Sequence, residues 1–280
     1  MSPGTNVQQS LEQLREAAPP RGEHFLLLAS CMQKSGSGWY FRMANDVMVA
    51  AGHDNVRELQ KQYPLRLRWL VRRRFRGQIA RPNALRMTVL DTIRARGHTF
   101  AIKTHRGPSP SVARLMKLGR LRALYQFRDP RDVLLSAFER GERNRGRSAR
   151  RSVFRLGRYR SFARLRSIDE CIAWMQHRLL PVWDAWQQHD NVLLVRYEDL
   201  LADTVAELRT LARFIGFDAS DEQLQRIDAH YRRKETRDTD PNLHFNKGVA
   251  GRFRDTLTPA QLARCKDAIG AHIEKMGYEW

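Results

Sequence analysis

A lysine and two serines in a glycine-rich turn can grip an oxyanion, and the chain has such a turn at Gln33-Lys34-Ser35-Gly36-Ser37-Gly38. An apolar run, Phe25 to Ala29, precedes it, and Trp39-Tyr40-Phe41-Arg42-Met43 begins a helix-like pattern after it. A strand, a glycine turn and a helix start bring backbone N–H groups and the positive end of a helix dipole to one point, a geometry that binds phosphate-like groups. Lys34 adds a movable positive charge that can neutralise such a group or stabilise a leaving-group oxygen. An ordinary exposed loop lysine is the other reading. The order Gly-x4-Gly-Lys-Ser/Thr of a nucleoside-triphosphate loop is absent, because here the lysine precedes the glycines.

Three further groups of residues carry chemistry. At Lys103-Thr104-His105-Arg106 a histidine near neutral pH can take a proton from a hydroxyl or amine, and Lys103, two residues earlier, projects to the same side of a strand. A capping or core histidine is the alternative there. In Arg128-Asp-Pro-Arg-Asp-Val-Leu-Leu-Ser136 an arginine fork and a serine hydroxyl suit a terminal phosphate monoester, whereas a salt-bridged turn is the plainer reading. Phe245-Asn-Lys-Gly-Val-Ala-Gly-Arg-Phe253 offers Asn246, Lys247 and Gly248 in a segment that could fold over an anion or stand as a plain loop.

The elements that must position these groups alternate in type. The spacing predicts strands at Phe25–Ala29, Thr99–Thr104, Leu121–Phe127 and Asn191–Tyr197. Helices are predicted over Trp39–Gly52, Asn83–Arg96, Asp132–Arg140 and 168–189, with another running from Glu198-Asp199 to Gly216. Alternation of this kind implies βαβ units and an α/β fold with a parallel sheet flanked by helices. Ligands in such sheets bind at the carboxyl ends of the strands, where the candidate groups fall. Trp174, Trp183 and Trp186 read as core aromatics. Residues 57–82 are basic and poorly periodic, and residues 140–166 carry eleven arginines. The second stretch reads as a solvated basic loop or as a contact for an acceptor or membrane.

Bulk properties narrow the class. The 280 residues fit one large domain, and 42% hydrophobic content can fill a core. Fifty basic against 30 acidic residues give a formal charge of +20, which attracts polyanions, anionic membrane surfaces or phosphorylated small molecules. Cys31, Cys171 and Cys265 are far apart and lack CxxC spacing, so they read as thiols in a reducing compartment, with no metal site expected. No apolar run approaches the ~18 residues of a membrane span. Residues 1–22 lack the apolar core of a signal peptide and read as a flexible tail before a domain at 23–280, with a cytoplasmic location expected.

In order along the chain, the four groups resemble the PAPS-dependent sulfotransferase family, in particular its cytosolic-type and bacterial branches. Lys34-Ser35-Gly36-Ser37-Gly38-Trp39 is similar to that family's 5′-phosphosulfate loop, usually Pro-Lys-Ser-Gly-Thr-Thr-Trp. Arg128-Asp-Pro-Arg-Asp-Val with Ser136 resembles its 3′-phosphate motif, and Lys103-Thr104-His105 the segment that supplies its catalytic base. Arg196-Tyr197-Glu198-Asp199-Leu200 resembles the segment near the adenine, and Lys247-Gly248-x-x-Gly251 the C-terminal loop. The chain departs at four places. Gln33 stands for the usual Pro, Gly38 for a Thr that donates a hydroxyl, Asn246 for an Arg, and Arg252-Phe253 for Asp-Trp.

The resemblance implies a P-loop-like sulfotransferase fold over residues 24–277 and in-line transfer of a sulfuryl group from PAPS (3′-phosphoadenosine 5′-phosphosulfate) to an acceptor hydroxyl or amine, leaving PAP. It implies His105 as general base, Lys34 and Lys103 as stabilisers of the departing oxygen, and no metal. It also implies that Arg128, Ser136 and Lys247 hold the 3′-phosphate and that Trp39 and Tyr197 contact the adenine. A small-molecule, lipid or glycan acceptor is expected, with contact to an anionic membrane surface and a homodimer both open. Three rivals stand beside this reading. A P-loop kinase would need the missing triphosphate loop. A basic nucleic-acid-binding protein would rest on charge alone, since no known recognition motif is visible. A catalytically silent PAP binder is disfavoured by the presence of both His105 and Lys34.

Overall fold

The computed structural model describes residues 24–63, 78–79, 81–148, 162–235 and 248–280. In chain order the elements are β1 Leu26–Cys31, α1 Ser37–Ala50, α2 Val56–Gln62, α3 Ala84–Arg94, β2 Phe100–Thr104, α4 Pro110–Lys117, β3 Leu121–Phe127 and α5 Pro130–Ser148. They continue with α6 Ile168–Arg178, α7 Leu180–Gln187, β4 Val192–Arg196, α8 Tyr197–Ala202, α9 Thr204–Phe214, α10 Asp221–Glu235, α11 Phe253–Thr256 and α12 Pro259–Lys275. These residues form two compact units, and the chain passes between them after Phe127, after Pro181 and near residue 245.

The first unit holds the sheet. Its four strands lie in the order β2-β1-β3-β4, all pairs parallel. All six residues of β1 are buried, as a central strand covered on both faces requires. Burial of each of its three leucines stabilises the fold by about 1.5–3 kcal/mol. One face, with Leu27, Ala29, Leu124 and Leu193, shares a hydrophobic cluster with Met43 of α1, Leu211 of α9 and Leu224 of α10. Tyr125 and Phe127 of β3 instead meet Trp183 of α7, at ring-centroid distances of 5.9 and 4.6 Å. Trp183 and Trp186 are therefore core residues, as their spacing suggests.

Three expected boundaries move. The helix expected over 168–189 is two, α6 and α7, broken at Leu179, because Pro181 has no N–H for the ladder and its ring clashes with the carbonyl four residues back. Asp203, whose carboxylate accepts from the Ala206 amide at 2.9 Å, splits the helix after β4 into α8 and α9. The helix expected over Asp132–Arg140 runs on to Ser148, through Gly141. A Cβ at Gly141 would stand 2.5 Å from the Phe162 carbonyl oxygen and 3.0 Å from that of Leu165, so this glycine makes room for a neighbouring segment and does not end the helix.

The second unit contains α5, α6, α11 and α12. Gln176 donates to the Ala268 carbonyl at 2.8 Å and Arg264 pairs with Asp169 at 3.0 Å, which ties α12 to α6. Arg131 is buried, pairs with Asp129 at 2.8 Å and lies 4.0 Å from the Phe253 ring centroid. The tail at 1–22 and the arginine-rich stretch at 66–76 lie outside the described residues, as does most of the basic stretch after Ser148.

Candidate active site

β1 delivers the chain to the turn, and β3 holds that turn in place. The Met32 amide donates to the Gln126 carbonyl at 2.7 Å, and the Gln126 side-chain amide donates to the Ser35 carbonyl at 2.8 Å. Within the turn the buried Ser35 hydroxyl donates to the Met32 carbonyl at 2.7 Å. Ser35 therefore serves the turn's shape through that bond. Lys34 adopts φ 71°, a left-handed conformation that costs a non-glycine residue roughly 1 kcal/mol.

Gly36 caps α1 with φ 74° and ψ 13°, with no side-chain cap bond and no acidic residue in the first turn of the helix. A Cβ here would lie 2.6 Å from Cε2 of Tyr197, so glycine is required both by φ and by the close ring. Gly38 is exposed, and a Cβ on it would meet nothing within 4 Å. The space for the family's second threonine is present even though the hydroxyl is not.

β2 brings the second group to the same place. Ser30 pairs with Thr104 in register, so β1 and β2 end side by side. Lys103, buried, donates from Nζ to the Ser37 hydroxyl at 2.9 Å and thereby joins the end of β2 to the start of α1. Burial lowers its pKa, offset in part by Cys31 and reinforced by Arg42. His105 Nδ1 lies 2.7 Å from the Cys31 carbonyl. A carbonyl only accepts, so Nδ1 carries the proton and Nε2 holds the lone pair. Burial first, then the charge of Lys103, lowers the His105 pKa to about 3, which keeps the ring neutral at working pH. Just beyond, the Arg106 carbonyl accepts from the Ser30 hydroxyl and from Trp186 Nε1, each at 3.0 Å, which clamps the backbone that carries the histidine. Burial raises the Cys31 thiol to about 11, so it is protonated and no nucleophile.

Tyr197 opens α8 directly after β4, and its ring stands edge-on to Trp39 at 6.5 Å. Both are buried, and both belong to the hydrophobic cluster. The first unit thus gathers the turn at 34–38, Lys103, His105, Trp39 and Tyr197.

Arg128, Ser136 and Gly248 belong to the second unit; Asn246 and Lys247 lie outside the described residues. Arg128 Nη2 donates to the Asp132 carboxylate at 3.1 Å and to the Val249 carbonyl at 2.8 Å. Asp132 also accepts from the amides of Gly251 at 2.7 Å and Phe253 at 3.2 Å. Ser136 is buried on α5, two helical turns beyond Arg128 in the chain. Gly248 has φ 62°. Arg252, at a position where the family has Asp, pairs with Glu139 of α5.

Sequence reasoning missed Gln126 and Asp132. Gln126 carried a signal, an amide inside an otherwise apolar central strand; Asp132 carried one only as an acid at the head of a helix. Among the described residues no cluster of three or more His, Cys, Asp or Glu could hold a metal, and no helix is long and apolar enough to cross a membrane.

The sulfotransferase domain family matches residues 24–277. Sulfotransferase 4A1 of Homo sapiens is 27% identical over 145 residues, 50% of this chain and 48% of that protein. Cytosolic sulfotransferase 16 of Arabidopsis thaliana is 26% identical over 121 residues, covering 35% and 36%. These matches span about half or less of the length of the curated relatives. Among solved structures, mouse sulfotransferase SULT7A1 complexed with PAP superposes with a TM-score of 0.58 at 17% identity, covering 94% of this chain and 89% of that one. Retinol dehydratase, in complex with androsterone and the inactive cofactor PAP, gives 0.57 at 17% identity, covering 97% and 88%.

Proposed function

The chain belongs to the sulfotransferase family, and on that premise we propose that it moves a sulfuryl group from PAPS to a hydroxyl or amine of an acceptor by in-line displacement. The observation that carries this reading is the pairing of a neutral His105, fixed through Nδ1, with Lys103 and the glycine turn at Lys34. PAPS fits what the chain offers: a left-handed glycine at a helix start, no acid in the first turn, and two lysines. When bound, it supplies the activated sulfuryl group.

His105 Nε2 takes the acceptor proton as the acceptor oxygen attacks sulfur. A ring with so low a pKa is a weak base until negative charge gathers beside it. The anion held at the turn offsets the repulsion from Lys103 and raises the ring's proton affinity. Lys34 and Lys103 stabilise charge developing on the departing phosphate oxygen, and Ser37 holds Lys103 in place. Positioning and electrostatics carry most of the rate in transfers of this kind. Arg128, Ser136 and Lys247 hold the 3′-phosphate, and Trp39 and Tyr197 contact the adenine. The acceptor is a small molecule, a lipid or a glycan, and residues 23–280 act as one catalytic domain in the cytoplasm.

Calorimetry with PAP, followed by PAPS turnover against a panel of phenols, sterols, sugars and lipids, tests the proposal. Micromolar or tighter PAP binding with PAP release from at least one acceptor is expected. Absence of PAP binding would sink it.

A further inference from the structure

Asp132 is a puzzle if the residues around it receive a phosphate. Its carboxylate is buried, with its side chain 1% exposed, and another negative charge close by would be repelled. The groups it touches resolve this. Oδ2 accepts from Arg128 Nη2 and from the Gly251 amide, while Oδ1 accepts from the Phe253 amide. Arg128 then donates from the same nitrogen to the Val249 carbonyl. One carboxylate thus bonds both the arginine fork and the 249–253 segment. Glu139, two helical turns along the same face of α5, holds that segment a second time through Arg252.

We propose that Asp132 is a positioning residue for recognition of the nucleotide 3′-phosphate: it aims Arg128 and latches the segment after Gly248, so that preference for a 3′-phosphorylated adenine nucleotide depends on a carboxylate that does not itself bind the ligand. This rests on PAPS being the sulfuryl donor and adds a residue to its recognition. Removing the acid leaves two loop amides without their acceptor and takes the buried carboxylate from the arginine, and truncating one partner of a buried charged pair is costly for that reason.

The test compares PAP with AMP, which lacks the 3′-phosphate, by calorimetry on the full-length wild type and on Asp132→Asn. The variant keeps the side chain's size but turns one acceptor oxygen into a donor. The expected result is a loss of roughly tenfold or more in PAP affinity with AMP affinity changed less than about threefold, so the PAP-to-AMP preference collapses. A folded variant that keeps the wild-type preference, or loses both ligands equally, overturns the inference while leaving the donor reading intact. A wild type that binds neither nucleotide overturns both. Should Asp132→Asn fail to fold, hydrogen exchange on the wild type decides the matter. PAP must slow exchange at the Gly251 and Phe253 amides and AMP must not; equal slowing by both overturns the inference.

Discussion

The proposed proton transfer rests on one ring, that of His105. Its Nδ1 is committed to the Cys31 carbonyl, so Nε2 is the only nitrogen open to an acceptor proton. His105→Ala is expected to abolish sulfation while PAP binding stays near that of the wild type; a variant with near-normal turnover would remove the base assignment. The lowered pKa also has a thermal signature. A ring that titrates near 3 when folded and near 6.5 when unfolded binds fewer protons in the folded state across that interval. Acid therefore favours the unfolded chain, and stability falls as pH drops through 6.5 toward 3. His105→Gln, which cannot take up the proton, is expected to lose less in melting temperature than the wild type between about pH 7 and 5. Equal losses would mean that the ring is not held neutral by its surroundings. The strand that carries Lys103 to the turn was legible in the sequence, as a short apolar run ending at Thr104. Gln126 was not, because its bond to Ser35 crosses 91 residues of chain and depends on which strands are neighbours.

The turn at 34–38 shows how two glycines, one capping α1 and one inside it, can differ. Gly36 has a positive φ and the Tyr197 ring where a Cβ would go; Gly38 has open space. Gly36→Ala is expected to destabilise the protein by about 1–2 kcal/mol from the backbone conformation alone and to weaken PAP binding as Tyr197 shifts. Gly38→Ala, inside α1, is expected to stabilise it by roughly 0.5–1 kcal/mol. Denaturant melts of the two variants check this, and equal effects would count against the turn geometry. At this scale the sequence foretold each of the four strands to within two residues at either end, since apolar runs bounded by turn residues leave little choice. It did poorly on helix ends. Pro181 was a readable breaker that the aromatic periodicity of Trp174, Trp183 and Trp186 outweighed. Gly141 misled because its purpose, an approach by Phe162 and Leu165, is tertiary and leaves no local mark.

For the whole molecule, the charge of +20 must be separated from the function. A field of that size attracts any polyanion, and such binding weakens steeply with salt. Filter binding to arbitrary DNA or RNA is expected to fall at least a hundredfold between roughly 50 and 200 mM salt while PAP binding persists. Salt-resistant, sequence-selective binding would instead favour a nucleic-acid partner. Beyond charge there is the matter of time. β1 lies between β2 and β3, and the turn it carries is held by Gln126. During synthesis the first strand leaves the ribosome with two unpaired edges and apolar residues on both faces. It waits until Phe127 has been added before both neighbours exist, and pairing over such separations is slow. The turn that opens the fold in sequence is thus left incomplete until β3 has been made, and a nascent chain halted before β3 has the lysine of the turn without the strand that shapes it.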